Sequence, residues 1–392
     1  MTSTRFAAAM LLLLAGCASA QTPPPPLSAL VGPHGLAVPG PAEVRLRETV
    51  ARAEAIDPRV NAIVALDPTA RDQARNVDLR ALNGRLVGQP ILIKDNIETA
   101  GPLSTTAGSM ALIDNLTNRD APIVTRLREA GMVTLGKTNL SEWANIRDNS
   151  SISGWSAVGG QTRNPFALDR NPCGSSSGSG AAVAAGIVDY AIGTETNGSI
   201  TCPASVNGIV GMKPSVGLVS RTHIVPISVT QDTAGPMTRT VRQAAELLTA
   251  IAGSDPADPA TAEADRRKTD YAAALDGASL KGKRLGLMRF ASGFGTDAAL
   301  AQALAVLRAQ GAEIVDIKEL GGAKERPKQL EVLLTEFKVG LNAYLATTPP
   351  SVTTRTLADV IAFNKANTRE LALFGQDLFE QAEKTKGLDE PE

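Results

Sequence analysis

Histidine, cysteine and aromatic side chains are all scarce in this chain, and each shortage narrows the chemistry open to it. There are two histidines, His34 and His223, in 392 residues. A Ser-His-Asp machine therefore has at most one candidate base, since His34 lies in a Pro-rich stretch, and His223 itself reads as a loop residue. No Cys/His or carboxylate–His grouping has metal-ligand spacing, so neither a metal nor any other cofactor is expected. Aromatics make up 3%, which leaves Ala, Leu, Val and Ile to build the core. Basic excess is missing too. Lys and Arg number 39 against 40 Asp and Glu, with no basic stripe, and this argues against a nucleic-acid partner. What is present is ordinary for a soluble globular protein: 43% hydrophobic and 20% charged residues, in a chain long enough for one large domain or two.

The first twenty positions do not read as part of a fold. Arg5 precedes an apolar run from Phe6 to Ala15, too short for a permanent membrane span, as in a bacterial-type export signal. Two exits compete. Leu14-Ala15-Gly16-Cys17 looks like a lipoprotein box, with Cys17 the lipidation candidate and the only membrane attachment expected. Ala18-Ser19-Ala20 suits signal peptidase, releasing a soluble chain at Gln21. The lipoprotein is preferred, because scarce cysteine falls where the box needs it. The expected location is thus the periplasm or, as a lipoprotein with Ala18 after the cysteine, the outer membrane. Residues 21–41, with Pro23 to Pro26 consecutive, are stiff and core-free and read as a tether.

Structured sequence is expected over residues 42–392, as one domain without internal repeats. Leu46, Val50, Ala53 and Ile56 recur at helical spacing, Glu43/Arg47 and Glu48/Arg52 add i,i+4 pairs, and Pro58 is expected to end the helix. A second helix is predicted over about Thr69–Leu82 and a strand over Leu86–Ile93. Asp120 is the expected cap of a helix through Ala130, closed by Gly131 and followed by a strand at Val133–Leu135. Leu285–Met288 and Ile314–Ile317 read as strands around a helix marked by Leu300, Leu304 and Leu307, and the chain after Lys328 reads as helical. Alternating strand and helix argues for an α/β layered fold with a parallel or mixed sheet.

Three segments carry candidate chemistry. In the first, Ile91-Leu92-Ile93 runs straight into Lys94-Asp95-Asn96, placing an ammonium at the end of a buried strand. A strand-end lysine usually points into water, but a buried one can serve a serine as base if it is kept neutral. The second is Cys173-Gly174-Ser175-Ser176-Ser177-Gly178-Ser179-Gly180, which opens into the apolar run Ala181–Ala185. Its amides can sit at a helix N-terminus, cradling an anion or holding hydroxyls in a water-poor site. It lacks the Lys-Ser/Thr ending of a P-loop. The third is Gly193-Thr194-Glu195-Thr196-Asn197-Gly198-Ser199-Ile200, a tight polar loop after a strand, suited to exposing a serine beside an oxyanion hole.

Together these segments resemble the amidase signature family. Its hallmarks are a Lys-Asp-Asn strand end, a Gly-Ser-Ser run and a Gly-Thr-Glu/Asp loop ending in Gly-Ser. The spacing of Ser175 and Ser199 is the family's, and Gly136-Lys137-Thr138-Asn139 and Asp232-Thr233-Ala234-Gly235-Pro236 extend the likeness. Cys173–Gly178 and Gly193–Thr196 are closest to the bacterial peptide amidases, which release ammonia from C-terminal peptide amides. The resemblance implies a mixed central β-sheet sandwiched between helices. It further implies Ser199 as nucleophile, Ser175 on a cis peptide bond as proton relay, and Lys94 as base. Backbone N–H groups of Thr196, Asn197, Gly198 and Ser199 would form the oxyanion hole. Asp95, Asn96, Ser176, Asp232 and Arg239 would support them, the last two by buttressing the active-site loops, with a surface ion pair as the equal alternative. The substrate would be a small-molecule or peptide amide.

The likeness also makes the loops carrying Cys173 and Cys202 converge. Two free buried thiols are the default there, with a disulfide as the alternative in an oxidising compartment. Departures exist: Asn197-Gly198 stands where many members have two glycines, and Glu195 where Asp is common. The chain also reaches Glu392 without the late strand usual in the family, so the expectation is either a fragment or a shortened form with an open sheet edge and a less enclosed pocket. Two other readings stay open: a truncated non-catalytic relative, and the glutamine-hydrolysing component of a tRNA amidotransferase, which export argues against.

Overall fold

The computed structural model describes residues 39–80, 82–293, 295–319 and 326–389. Cys17, the cleavage site after Ala20, His34 and the tether up to residue 38 lie outside them. Helix α1 (Pro41–Val60) starts with a proline in its first turn, where the missing N–H costs nothing. Pro58 does not end it. It sits inside the last turn, and the stop comes at Asn61, whose φ of 53° and ψ of 52° are left-handed. Glu43 pairs with Arg47 as expected, while Arg52 donates to the Ile187 carbonyl and Thr49 instead.

The chain continues through β1 (Ile63–Leu66), α2 (Ala70–Leu79), β2 (Pro90–Lys94), α3 (Pro122–Glu129), β3 (Val133–Thr138), a short hairpin of β4 (Trp155–Ser156) and β5 (Gly160–Gln161), and α4 (Ser177–Ala184). Asp120 is not the cap of α3; Ala121 holds that place, and the Asp120 carboxylate accepts the Ala100 N–H. Next come β6 (Tyr190–Glu195), α5 (Thr201–Val206), β7 (Val210–Gly211), β8 (Thr233–Thr238), α6 (Val241–Ile251) and α7 (Ala264–Arg267). Six strands form one sheet in the order β1-β3-β2-β6-β8-β7. β2 runs parallel to both β3 and β6, whereas β1, β7 and β8 pair antiparallel, so the sheet is mixed.

Both faces of this sheet are covered, which is why β2 reads as a continuous apolar run up to Lys94. Leu92, Val133, Leu135 and Ala191 pack under α1, α2 and α4, while Ile91, Ile93, Tyr190 and Ile192 pack under α3 and α6. Alternation along β2 thus feeds two cores built almost wholly from aliphatic residues.

Beyond α7 the architecture changes. β9 (Arg284–Met288), α8 (Asp297–Ala309) and β10 (Glu313–Ile317) form a unit whose two parallel strands pair only with each other among the described residues. Their side chains alternate between exposed and half-buried, so they are not part of the central sheet. Helices α9 (Arg326–Leu345), α10 (Leu357–Ala366) and α11 (Asp377–Lys384) complete the chain and bury a third core against Trp143, Val225 and Ile227. Three aromatic rings meet here: Phe337 stacks on Phe379 at 5.1 Å, and Trp143 meets Phe379 edge-on at 5.7 Å. No helix among the described residues is long and apolar enough to cross a membrane.

Candidate active site

Lys94 ends β2, with its side chain fully buried. Its Nζ lies 2.8 Å from Ser175 Oγ, 2.8 Å from Thr194 Oγ1 and 3.3 Å from the Thr194 carbonyl oxygen. Burial drives its pKa down from 10.5 to about 7, against the opposing pull of the Asp232 and Glu195 carboxylates. No carboxylate among the described residues pairs with it directly. Asp95, its neighbour, instead bonds the Thr106 hydroxyl and lies 3.8 Å from the buried Lys137 ammonium. Burial pushes that aspartate up and that lysine down. Asp95 therefore anchors the loop after β2, while Asn96 supports the site by donating to Thr194 Oγ1 at 3.0 Å.

Ser175 follows a cis peptide bond from Gly174, at the entry to α4. Its carbonyl accepts the Ser141 N–H at 3.0 Å, and its neighbour Ser176 exchanges hydrogen bonds with the Thr194 backbone, donating at 3.1 Å and accepting at 3.2 Å. The glycines of the run are needed for approach. A Cβ on Gly178 would collide with the carbonyl oxygens of Ala62 and Asn139, and one on Gly193 would lie 2.7 Å from Ser176 Oγ.

Ser199 sits just before α5, 9% exposed, and its hydroxyl is unbonded among the described residues. Two links hold its loop to that of Ser175. The Ser176 N–H donates to the Ser199 carbonyl at 3.0 Å, and Cys173 is joined to Cys202 by a disulfide with a Cα separation of 6.0 Å. The default expectation of free thiols is thereby corrected, because loop convergence brings the two cysteines into bonding range.

The loop between them is held from several sides. Glu195 accepts the N–H groups of Ile200 at 2.7 Å and Thr201 at 2.8 Å. Burial raises its pKa, but those bonds outweigh it and keep the carboxyl below its usual range. Asp232 accepts the Thr196 hydroxyl at 2.5 Å and the N–H groups of Ile227 and Ser228. Burial pushes its pKa up. Lys213 Nζ donates to the Thr196 carbonyl at 2.6 Å. The N–H groups of Thr196, Asn197 and Ser199 have no acceptor among the described residues, and that of Gly198 faces the Glu195 carboxylate. Unspent donors beside an unbonded serine hydroxyl are what an oxyanion hole requires.

Arg239 is the exception among the expected residues. It follows β8 at the end where Thr238 pairs with Tyr190, while Thr233 pairs with Glu195 at the site end, so it sits exposed at the opposite end of the strands. Strand length separates it from the loops it was expected to buttress. His223 faces Glu98 at 3.9 Å, away from Lys94. The sequence pattern assigns no role to Thr194, Glu195, Lys213 or Ser141. Glu195 carries a signal in hindsight, being an acid just ahead of a helix start, whereas Lys213 carries none. A cavity of about 280 Å³ adjoins the site, bounded by Thr194, Thr196 and Asp232 at one end and by Ile224, Val225 and Ile227 along its wall.

Comparison with known proteins gives the family. The family model described as Amidase matches residues 45–373. The chain belongs to the amidase family. This amidase is similar to a native peptide amidase from Stenotrophomonas maltophilia, whose crystal structure superposes with a TM-score of 0.85 at 49% identity, over 89% of this chain and 73% of that one. A probable amidase of Arabidopsis thaliana is 44% identical over 353 residues, covering 86% of this chain and 68% of the plant protein. The A-type subunit of the glutamyl-tRNA(Gln) amidotransferase from Roseiflexus castenholzii is 45% identical over 276 residues, covering 68% of this chain and 54% of that protein. By family and fold this amidase is a hydrolase of carbon–nitrogen amide bonds, with the mixed, helix-covered sheet that the resemblance implies.

Proposed function

We propose that this amidase releases ammonia from carboxamides, C-terminal peptide amides above all, through Ser199, Ser175 and Lys94. The observation that carries the proposal is the buried Lys94, 2.8 Å from Ser175 Oγ and with a pKa brought down to about 7. A neutral lysine has two hydrogens and one lone pair. Here the hydrogens have Thr194 Oγ1 and the Thr194 carbonyl as acceptors, which leaves the lone pair for the Ser175 proton. Ser199 Oγ then attacks the amide carbon as its proton passes to Ser175 and the Ser175 proton passes to Lys94. The oxyanion is received by the unspent N–H groups of Thr196, Asn197 and Ser199; Gly198, also expected as a donor, has its N–H turned to the Glu195 carboxylate instead. On collapse the C–N bond breaks, the proton returns through Ser175 to the nitrogen, and ammonia leaves. Water attacks the acyl-enzyme by the same relay run again.

The cavity wall of Ile224, Val225 and Ile227 favours a substrate with an apolar acyl portion, and the likeness to a peptide amidase favours a peptide. The peptide amidase superposes over 89% of the chain with a TM-score of 0.85, against 0.64 for a tRNA amidotransferase structure. The amidotransferase subunit at 45% identity matches only 68% of the chain. The test is reaction with a serine-directed fluorophosphonate, followed by ammonia release from peptide amides, simple carboxamides and glutamine. Labelling at Ser199, with both labelling and ammonia release lost in Ser199→Ala, is expected. A folded chain that stays unlabelled overturns the enzyme reading in favour of a non-catalytic relative.

We also propose that the enzyme works outside the cytoplasm. The apolar run before Cys17 and Ala20 supports this, as does the Cys173–Cys202 disulfide, since such bonds persist in oxidising compartments. Mass analysis of the mature N-terminus distinguishes a lipidated Cys17 from a free Gln21, and an unprocessed cytoplasmic chain overturns export.

A further inference from the structure

Lys213 lies just past β7, with its ammonium 2.6 Å from the Thr196 carbonyl oxygen. That carbonyl belongs to the peptide unit whose other end is the Asn197 N–H. The N–H has no acceptor among the described residues, and it is one of the proposed oxyanion donors. An amide is a resonance system, so a cation on its oxygen withdraws electron density from nitrogen and makes the N–H a stronger donor. Chains of hydrogen bonds reinforce one another in this way where the local dielectric is low. The loop that carries this peptide is anchored on both sides. Asp232 holds the Thr196 hydroxyl at 2.5 Å on one side, and Glu195 holds the N–H groups of Ile200 and Thr201 on the other.

We propose that Lys213 polarises the Thr196–Asn197 peptide and so strengthens the oxyanion hole, acting on the reaction without touching substrate. This rests on the amide-hydrolase reading of the site. Lys213 is a positioning residue in this role. Its charge is worth most when negative charge appears on the substrate oxygen, and little in the ground state. The proton relay through Ser175 and Lys94 has no bond to Lys213, so its loss acts on the oxyanion and not on the base.

The test compares Lys213→Met, which removes charge and donor, Lys213→Gln, which removes the charge, and Lys213→Arg, which keeps both. For Lys213→Met we expect kcat to fall by about 10- to 100-fold, less than the ~10²–10³ for losing an oxyanion donor outright. KM should stay within about threefold, because uniform binding is untouched. A peptide aldehyde, whose adduct with Ser199 places an oxyanion in the hole, should lose affinity by about the factor lost in kcat/KM. The matching peptide acid should bind unchanged. Lys213→Arg should stay near wild type, and Lys213→Gln should fall between. If Lys213→Met does not fold, the ordering of the Arg and Gln variants decides the matter. Equal loss of aldehyde and acid binding, or equal rates in Arg and Gln, makes Lys213 a mere loop support and overturns the proposal. Failure of the parent reading looks different, because then the wild-type chain itself neither labels nor hydrolyses any amide.

Discussion

Lys94 is costly to fold around, and that cost is its use. Its pKa falls from 10.5 in the unfolded chain to about 7 in the folded one. Between those values the unfolded chain binds more protons, so this residue makes stability rise with pH across that window. Lys94→Met should therefore raise the unfolding midpoint most at pH 7 and below, with the gain shrinking as pH climbs towards 10.5. The same variant should lose essentially all ammonia release. In the wild type, kcat/KM should rise through a midpoint near pH 7, because the deprotonated form is the base. Thermal melts at several pH values, beside a pH–rate profile, check both. Full activity of Lys94→Met at neutral pH would sink the relay.

At the scale of elements, the site is a meeting of ends: the end of β2, the entry to α4, and the loop between β6 and α5. Glu195 organises the last of these, because its carboxylate accepts two N–H groups at the start of α5. Glu195→Ala should leave those buried donors unpaired and cost about 1–3 kcal/mol of stability. A displaced loop should cost kcat on the order of 10²-fold. Urea unfolding and steady-state kinetics separate the two effects, and an unchanged kcat in a destabilised variant would make Glu195 a helix cap alone. Several elements are legible from pattern, since β2 carries an apolar run and α1 an apolar stripe at helical spacing. Boundaries are less so. Pro58 reads as a stop because proline blocks most helix interiors, yet the turn accommodates it until Asn61 goes left-handed. β1 escapes the pattern because Ile63–Leu66 is short and half-buried along its length.

Across the whole molecule, two aliphatic cores sandwich the sheet, and a third, aromatic core joins the C-terminal helices to the site. Trp143 is the joint: it packs on Phe379, and two residues before it Ser141 holds the Ser175 carbonyl. Beside it the buried Arg147 binds Glu142 and Glu370 and lies 4.0 Å from the Phe374 ring. Phe379→Ala should empty the centre of this core and cost about 3–5 kcal/mol in denaturant unfolding. A loss under about 1 kcal/mol would show that the C-terminal helices do not share the fold's cooperativity.

The sequence by itself determined the chemistry on offer. Two histidines excluded most relays, three motifs at family spacing named Lys94, Ser175 and Ser199, and alternating apolar runs set the α/β class. Those are local facts, carried by residue type and spacing. The tertiary structure decided which atoms meet. It brought Cys173 to Cys202, turned Asp95 towards Lys137 and away from Lys94, left Arg239 at the wrong end of β8, and set Lys213 on the Thr196 carbonyl. Such contacts depend on strand register and on burial in three dimensions, and no pattern along the chain encodes either.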